Sequence, residues 1–461
     1  MKQSTRRKRS PQPCAQQLDV VHPNAAGIDI GSETHYVAVD PERDSQPVRS
    51  FGCSTPQLQD MARWLQACGV TTVAVESTGV YWVPAARVLE DAGIEVCLVD
   101  ARQAKGVAGR KTDVQDCQWL RQLHAFGLLR PAFRPAAQIQ PLRALWRHRR
   151  EIIQECAQAI QHMQKSLEQM NLQLHKVLSD ISGKTGLSIL RAIVDGQRDP
   201  EHLVQLCHPN CKRPKQDFLD ALTGHYQQEH LFILGQALQT FDFCKQKLRA
   251  CDEELQRHLA AIPAKADKAA LAAIPNRKRG NKAKNNQPTF DLRSELFALT
   301  GVDLTQVEGI DAVTAFTIIS EQGTDMSRFP SEKHFASHLG LCPNNQITGG
   351  RIRKRNTRKV VSRAASALRI AALSLRRSQS ALGQFYRRLH GRLGPAKAIT
   401  ATAHKLAKLI YRLLKYGEQY LHQTQEQYEQ RHRDKLLKNL ARTAKRAGCE
   451  LIDAQTGLVL S

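Results

Sequence analysis

Apolar and polar positions change rhythm twice along the chain, and each change marks a new kind of structure. Residues 27–31 and 34–40 read as a strand, a tight turn and a return strand, with 48–53 as a third strand. Leu58, Met61 and Leu65 then give 56–68 a helical spacing. Residues 72–75 form a short β-branched run of the kind a buried strand shows, and 94–99 form another. Between and after them, 83–91 and 114–126 have helical periodicity. Strands that first pair antiparallel and then alternate with helices predict a mixed α/β sheet covered on both faces.

From about Pro135 to Ile262 the rhythm lengthens. Cys156, Ile160, Met163, Leu167, Met170, Leu174 and Val177 step by fours and threes, and Phe241, Cys244, Leu248, Cys251, Leu255 and Ile262 repeat the seam. Two such seams predict two long helices, paired either as an antiparallel hairpin within the chain or as a coiled coil between chains. Residues 276–288 are basic, lack acids and show no apolar period, so they read as solvated linker. The expected organisation is α/β plus all-α. It comprises a basic flexible arm (1–24), an α/β domain (25–134) and a coiled-coil helical domain (135–265). A basic linker (266–290), a mainly helical C-terminal domain (291–417) and a charged helix and tail (418–461) follow.

Charge narrows the partners. Lys and Arg number 67 against 43 Asp and Glu, a formal net charge of +24. Such an excess selects a polyanion, because each cation set against a phosphate releases condensed counterions. No run of 18 apolar residues occurs, and Lys2, Arg6, Arg7, Lys8 and Arg9 precede no apolar stretch. Neither a membrane span nor a signal peptide is therefore expected, and the expected setting is the cytoplasm, at the nucleoid. The cysteines are scattered and read as reduced thiols. His202, Cys207, His208 and Cys211 do cluster, as candidate zinc ligands or as ordinary helix-end residues; the spacing fits no finger pattern.

Four acids of the α/β domain fall where such a sheet would gather them. Asp29 lies between Ile28 and Ile30 on a strand that should be central. Glu76 ends the next parallel strand, at the carboxyl edge where open α/β sheets place their sites. Asp113 and Asp116, spaced i and i+3, share one face of a first helical turn. Four carboxylates at close range repel one another unless a cation intervenes, and hard oxygen ligands suit Mg²⁺ or Mn²⁺. Singly, each has a plainer explanation: a turn-bonding Asp, an exposed strand end, or helix N-terminal acids.

In the C-terminal domain, Arg351, Arg353, Lys354, Arg355, Arg358, Lys359 and Arg363 form a run without an acid, and nucleic acid is the favoured partner over a solvated helix face. Arg143 and Arg147, with Arg149 and Arg150 around Trp146, make a second basic patch. Gly309 precedes a helix that starts near Ala312, as in the turn of a helix-hairpin-helix that offers backbone N–H groups to phosphate. An acid-capped helix start fits equally.

The strings GIDIGS, VAVESTGVYW and GRKTDVQDC, in that order, resemble the DEDD transposases of bacterial insertion sequences, which are also known as bridge-RNA-guided recombinases and are relatives of the Piv-type DNA invertases. Residues 309–315, 335–343 and the Gly349–Gly350 pair resemble that family's C-terminal transposase domain. The resemblance implies an RNase H/RuvC-like first domain with Asp29, Glu76, Asp113 and Asp116 as the catalytic, metal-binding tetrad. It also implies DNA partners at element ends and target, a guide non-coding RNA, and a composite site in a homodimer or tetramer joined through the helical region. The family's nucleophile is a serine directly before a glycine; here Thr348 stands in that place, ahead of Gly349 and Gly350. Other readings of the same residues are a RuvC-like junction nuclease that needs no hydroxyl, an inactive nucleic-acid-binding relic, and an actin-like ATPase or kinase sharing GIDIGS. The last would need a second glycine-rich phosphate loop, which the chain lacks.

Overall fold

The computed structural model describes residues 19–77, 79–100, 112–274, 286–358, 360–417, 419–452 and 459. Most of the basic arm, most of the 276–288 linker and Lys359 therefore lie outside the described residues, as do the side chains of Lys354 and Arg355. The chain divides into two compact units, 1–134 and 135–461.

The first unit is built on five strands: β1 (Ala25–Ile30), β2 (Thr34–Ala38), β3 (Val48–Gly52), β4 (Thr72–Glu76) and β5 (Glu95–Val99). Their order across the sheet is β3-β2-β1-β4-β5. The first three pair antiparallel, whereas β1–β4 and β4–β5 pair parallel. Two-residue alternation assigns the faces. Ala26, Ile28 and Ile30 of β1 join Val73 and Val75 of β4 in a core covered by α1 (Thr55–Ala67) and α2 (Trp82–Asp91), through Leu58, Met61, Leu65 and Leu89. The opposite face carries Gly27 and Asp29 of β1 with Thr72, Ala74 and Glu76 of β4, and α3 (Asp113–Ala125) covers it. On that side the Thr72 hydroxyl is bonded to His124 of α3 at 2.9 Å.

In the second unit, α4 (Gln140–Gln169) and α6 (Gln228–Ala260) are the two long helices, with α5 (Lys184–Val194) and shorter pieces between them. They run antiparallel against each other: Cys251 reaches the Leu145 carbonyl, Asp252 pairs with Arg149, and Lys247 pairs with Glu155. The two seams thus meet each other, with Cys156, Met163 and Leu167 buried on one side and Phe241, Cys244 and Leu248 on the other. Of the two pairings the pattern allowed, the one within the chain is present, and it occupies these apolar faces. The first helix is also shorter than its apolar pattern, ending at Gln169 where Asn171 takes φ 55°; Met170 and Leu174 pack beyond the break. Within the stretch assigned to a linker, a 3₁₀ turn at Lys268–Ala273 buries Leu271.

The C-terminal helices are α7 (Leu292–Thr300), α8 (Ala312–Gln322), α9 (Glu332–His338), α10 (Arg363–Ser374), α11 (Ala381–Leu393), α12 (Pro395–Tyr416) and α13 (Gln419–Arg446). Phe335, Leu368, Leu406 and Ile410 lie in their core, and the Tyr411 hydroxyl donates to the Phe329 carbonyl at 2.9 Å. Between α9 and α10 stands an antiparallel hairpin, β6 (Pro343–Thr348) and β7 (Arg351–Thr357), where a helical face was the alternative to a nucleic-acid contact. The missed signal was Gly349–Gly350 between the strands: both take positive φ, 57° and 73°, as a two-residue hairpin turn demands. Among the described residues no helix is long and apolar enough to cross a membrane.

Candidate active site

Asp29 occupies the central strand, one residue beyond the last registered pair with β4, Ile28 with Val75. Glu76 is the corresponding residue of β4, so both carboxylates leave the same face at the same end of adjacent parallel strands. The helix bearing Asp113 and Asp116 lies directly over them because of Gly27. A Cβ added there would stand 2.3 Å from the Cys117 carbonyl oxygen and 2.3 Å from the Arg121 nitrogen. A glycine inside a strand commonly marks such a close backbone approach. Thr112 caps the helix, its hydroxyl accepting the Gln115 N–H at 3.4 Å, so Asp113 and Asp116 sit in the first turn near the positive end of the helix dipole.

The charges of the other three acids reach Asp29. Burial, followed by the negative charges of Glu76, Asp113 and Asp116, pushes the Asp29 carboxyl up to about 6, against the Ile30 N–H that lowers it. The Cys117 thiol beneath is pushed up to about 12 by burial and by Asp29. His124, further along α3, is pulled down to about 4 by burial and by His22, so it is a neutral packing residue at pH 7. Asp40, just past β2, anchors α3 through Arg121 at 2.7 Å.

A hard divalent cation fits this donor set. Its oxygens are carboxylate, and the like charges that lift Asp29 are what a bound cation would neutralise. Among the described residues no three His, Cys, Asp or Glu side chains already stand at ligating separation. Glu76, Asp113 and Asp116 are close enough for their charge, which acts over several ångströms, to raise Asp29 without forming a closed cage.

In the second unit, Thr348 ends β6 at the hairpin tip, exposed, with Arg351 as its cross-strand partner. Arg353 is likewise exposed, as is Arg358, which donates to the Ser337 carbonyl.

Comparison with known families places both regions. A transposase model of the DEDD type matches residues 26–172, from β1 through the end of α4, and a model described as "Transposase IS116/IS110/IS902 family" matches 303–387, which includes the hairpin. The chain belongs to the IS110-type DEDD transposase family. No curated protein matches it. As a transposase it recombines DNA, the DEDD domain implies an RNase H-like fold, and the family depends on divalent metal. Membership also sets aside the ATPase reading.

Three expected contacts have other occupations in this transposase. Arg143 and Arg147 do not form an open patch: Arg147 grips Glu321 of α8 with two bonds, at 2.8 and 2.6 Å, and Arg143 lies 3.1 Å from the same carboxylate. Arg149 is buried against Asp252, and Trp146 donates to Thr317 at 3.0 Å. A near-buried acid 174 residues away in sequence drew these arginines inward. Gly309, at φ 85°, has the Ala371 carbonyl 3.0 Å from where its Cβ would stand, so close packing of α10 explains it. Asp311 caps α8 by accepting the Thr314 N–H at 2.9 Å, the acid-capped alternative. At the His/Cys cluster, His208 Nδ1 accepts the Asn210 N–H at 3.2 Å and Cys211 lies 3.8 Å from the Thr185 hydroxyl, as helix-end residues would.

Proposed function

We propose that this transposase cuts and rejoins DNA at the ends of an insertion sequence, with Thr348 as the attacking hydroxyl and Asp29, Glu76, Asp113 and Asp116 holding Mg²⁺ or Mn²⁺. The observation that carries the reading is the charge of three carboxylates felt at Asp29, from positions 76, 113 and 116. A divalent cation bound there supplies charge neutralisation and orientation at the phosphodiester. Asp29 sheds its proton near pH 6 and becomes a fully charged ligand above it. The Thr348 oxygen forms a bond to phosphorus while one phosphorus–oxygen ester bond breaks. The hydroxyl proton is lost and the departing sugar oxygen gains one, so a protein–DNA phosphodiester conserves the bond for rejoining. Arg351 and Arg353 hold phosphate beside that hydroxyl.

From the family come two finer proposals: a guide non-coding RNA, and a composite site formed in a dimer or tetramer. The positive charge of the chain supports the first. For the second, the outer face of α6 offers Phe232 and Phe243, 66% and 60% exposed, in place of the spent seam. The test is adduct trapping on denaturing gels, with purified protein, its flanking RNA, a DNA junction and Mg²⁺. Thr348→Ala abolishes the adduct, Thr348→Ser keeps or raises it, and Asp29→Ala lowers cleavage by about 10³-fold, the scale at which a preorganised electrostatic group acts. Full activity in both Asp29→Ala and Thr348→Ala sinks the assignment.

One observation favours a second reading. Thr348 is β-branched on a strand, which stiffens χ1 and crowds its oxygen. A junction nuclease acting through the carboxylates alone would ignore Thr348→Ala and lose cleavage in Asp116→Asn.

A further inference from the structure

The β6–β7 hairpin has two chemically different faces. Ile347 and Ile352 are a registered cross-strand pair, so they share one face; they are 63% and 41% exposed. Thr348 and Arg351, the next registered pair, take the other face. A register shift between Gln346 and Ile347 leaves Arg353 without an opposite residue, the kind of bulge that re-aims a side chain. Nothing lies within 4 Å of a Cβ built on Gly349 or Gly350, so the tip projects into open space. Its base is fixed, because Gly340 packs against Val360 and Arg358 bonds to Ser337.

An exposed isoleucine pair at the tip of a marginal two-stranded ribbon is a liability unless something covers it. Charge selects the occupant. No Asp or Glu occurs between Glu332 and Glu418, while the hairpin and its base carry Arg351, Arg353 and Arg358. A second copy of the same ribbon would be repelled, and a polyanion attracted. A polyanion that also offers apolar surface is a nucleic acid with an opened base step. B-form DNA admits a two-stranded ribbon, whereas the deep, narrow major groove of A-form RNA does not.

We infer that the hairpin is a DNA wedge: Ile347 and Ile352 unstack a base step while Thr348 and Arg351 face the neighbouring phosphate. The inference rests on Thr348 being the attacking group, and it adds that DNA deformation, not base reading, brings the phosphate to it. Apolar wedges of this kind cost a few kcal/mol of stacking, which a pre-opened step does not charge.

The experiment uses the full chain with a 30-base-pair DNA duplex carrying 2-aminopurine at one central step, the same duplex with a two-base mismatch there, and an RNA duplex of the same sequence. Wild type is expected to bind the mismatched DNA about tenfold more tightly than the perfect duplex, with a rise in 2-aminopurine fluorescence. Ile347→Thr with Ile352→Thr, which keeps β-branching and so the strand, abolishes both the preference and the rise. Thr348→Ala leaves both in place while removing the covalent adduct, so failure of the nucleophile and failure of the wedge read out separately. A double isoleucine variant with undiminished mismatch preference overturns the wedge, as does an equal signal on the RNA duplex.

Discussion

A proton and a divalent cation compete for the Asp29 carboxylate. Its pKa of about 6 in the folded chain lies above the ordinary 3.8, so the native state holds this proton more tightly than the unfolded one. The contribution to stability is complete below about pH 4 and is lost as pH rises through 6, so the metal-free protein weakens over that window. Asp29→Asn is expected to raise the melting temperature of the metal-free protein at pH 7.5, by the equivalent of about 1–3 kcal/mol, and to abolish stabilisation by added Mg²⁺. Thermal unfolding with and without EDTA checks both; a variant that Mg²⁺ still stabilises as much as wild type removes Asp29 from the ligand set. The candidate acids were legible one by one from their flanking residues. The size of their effect on Asp29 was not, because it depends on how closely α3 approaches β1.

At the scale of elements, the approach of α3 is set by Gly27. Gly27→Val forces side-chain atoms into the backbone of Cys117 and Arg121, so it is expected to cost about 2–3 kcal/mol and to displace Asp113 and Asp116. Denaturant titration measures the first effect and Mg²⁺-dependent cleavage the second; unchanged cleavage would show that the helix position is immaterial. The long helices show the opposite balance. Their heptad spacing announced two amphipathic elements, yet spacing cannot state whether a seam finds its partner in the same chain. The hairpin was hidden for a related reason. A charge run with no apolar alternation gives no strand period, and only the paired glycines could have disclosed it.

For the whole molecule, the positive charge is not uniformly available to DNA. Arg147 and Arg143 are committed to Glu321; burial works against that carboxylate, but these arginines and Arg363 hold it below the usual range. Arg351 and Arg353 stand free to meet phosphate at the hairpin. Replacing Arg351 and Arg353 by Gln is therefore expected to flatten the slope of log K against log salt by about 2, while Arg147→Gln leaves the slope and lowers the melting temperature instead. Fluorescence anisotropy across salt concentrations separates the two, and equal slopes in all three proteins would refute the division. The sequence by itself indicated the α/β and helical regions, the four candidate acids and a polyanionic partner, whereas Thr348 was marked only by resemblance to the family. The first three are written in local period, residue chemistry and summed charge. Only the tertiary structure decided which arginines are spent, which seams are closed, and how strongly three acids from distant positions act on the fourth. Those depend on distances between residues far apart in the chain, which no local pattern encodes.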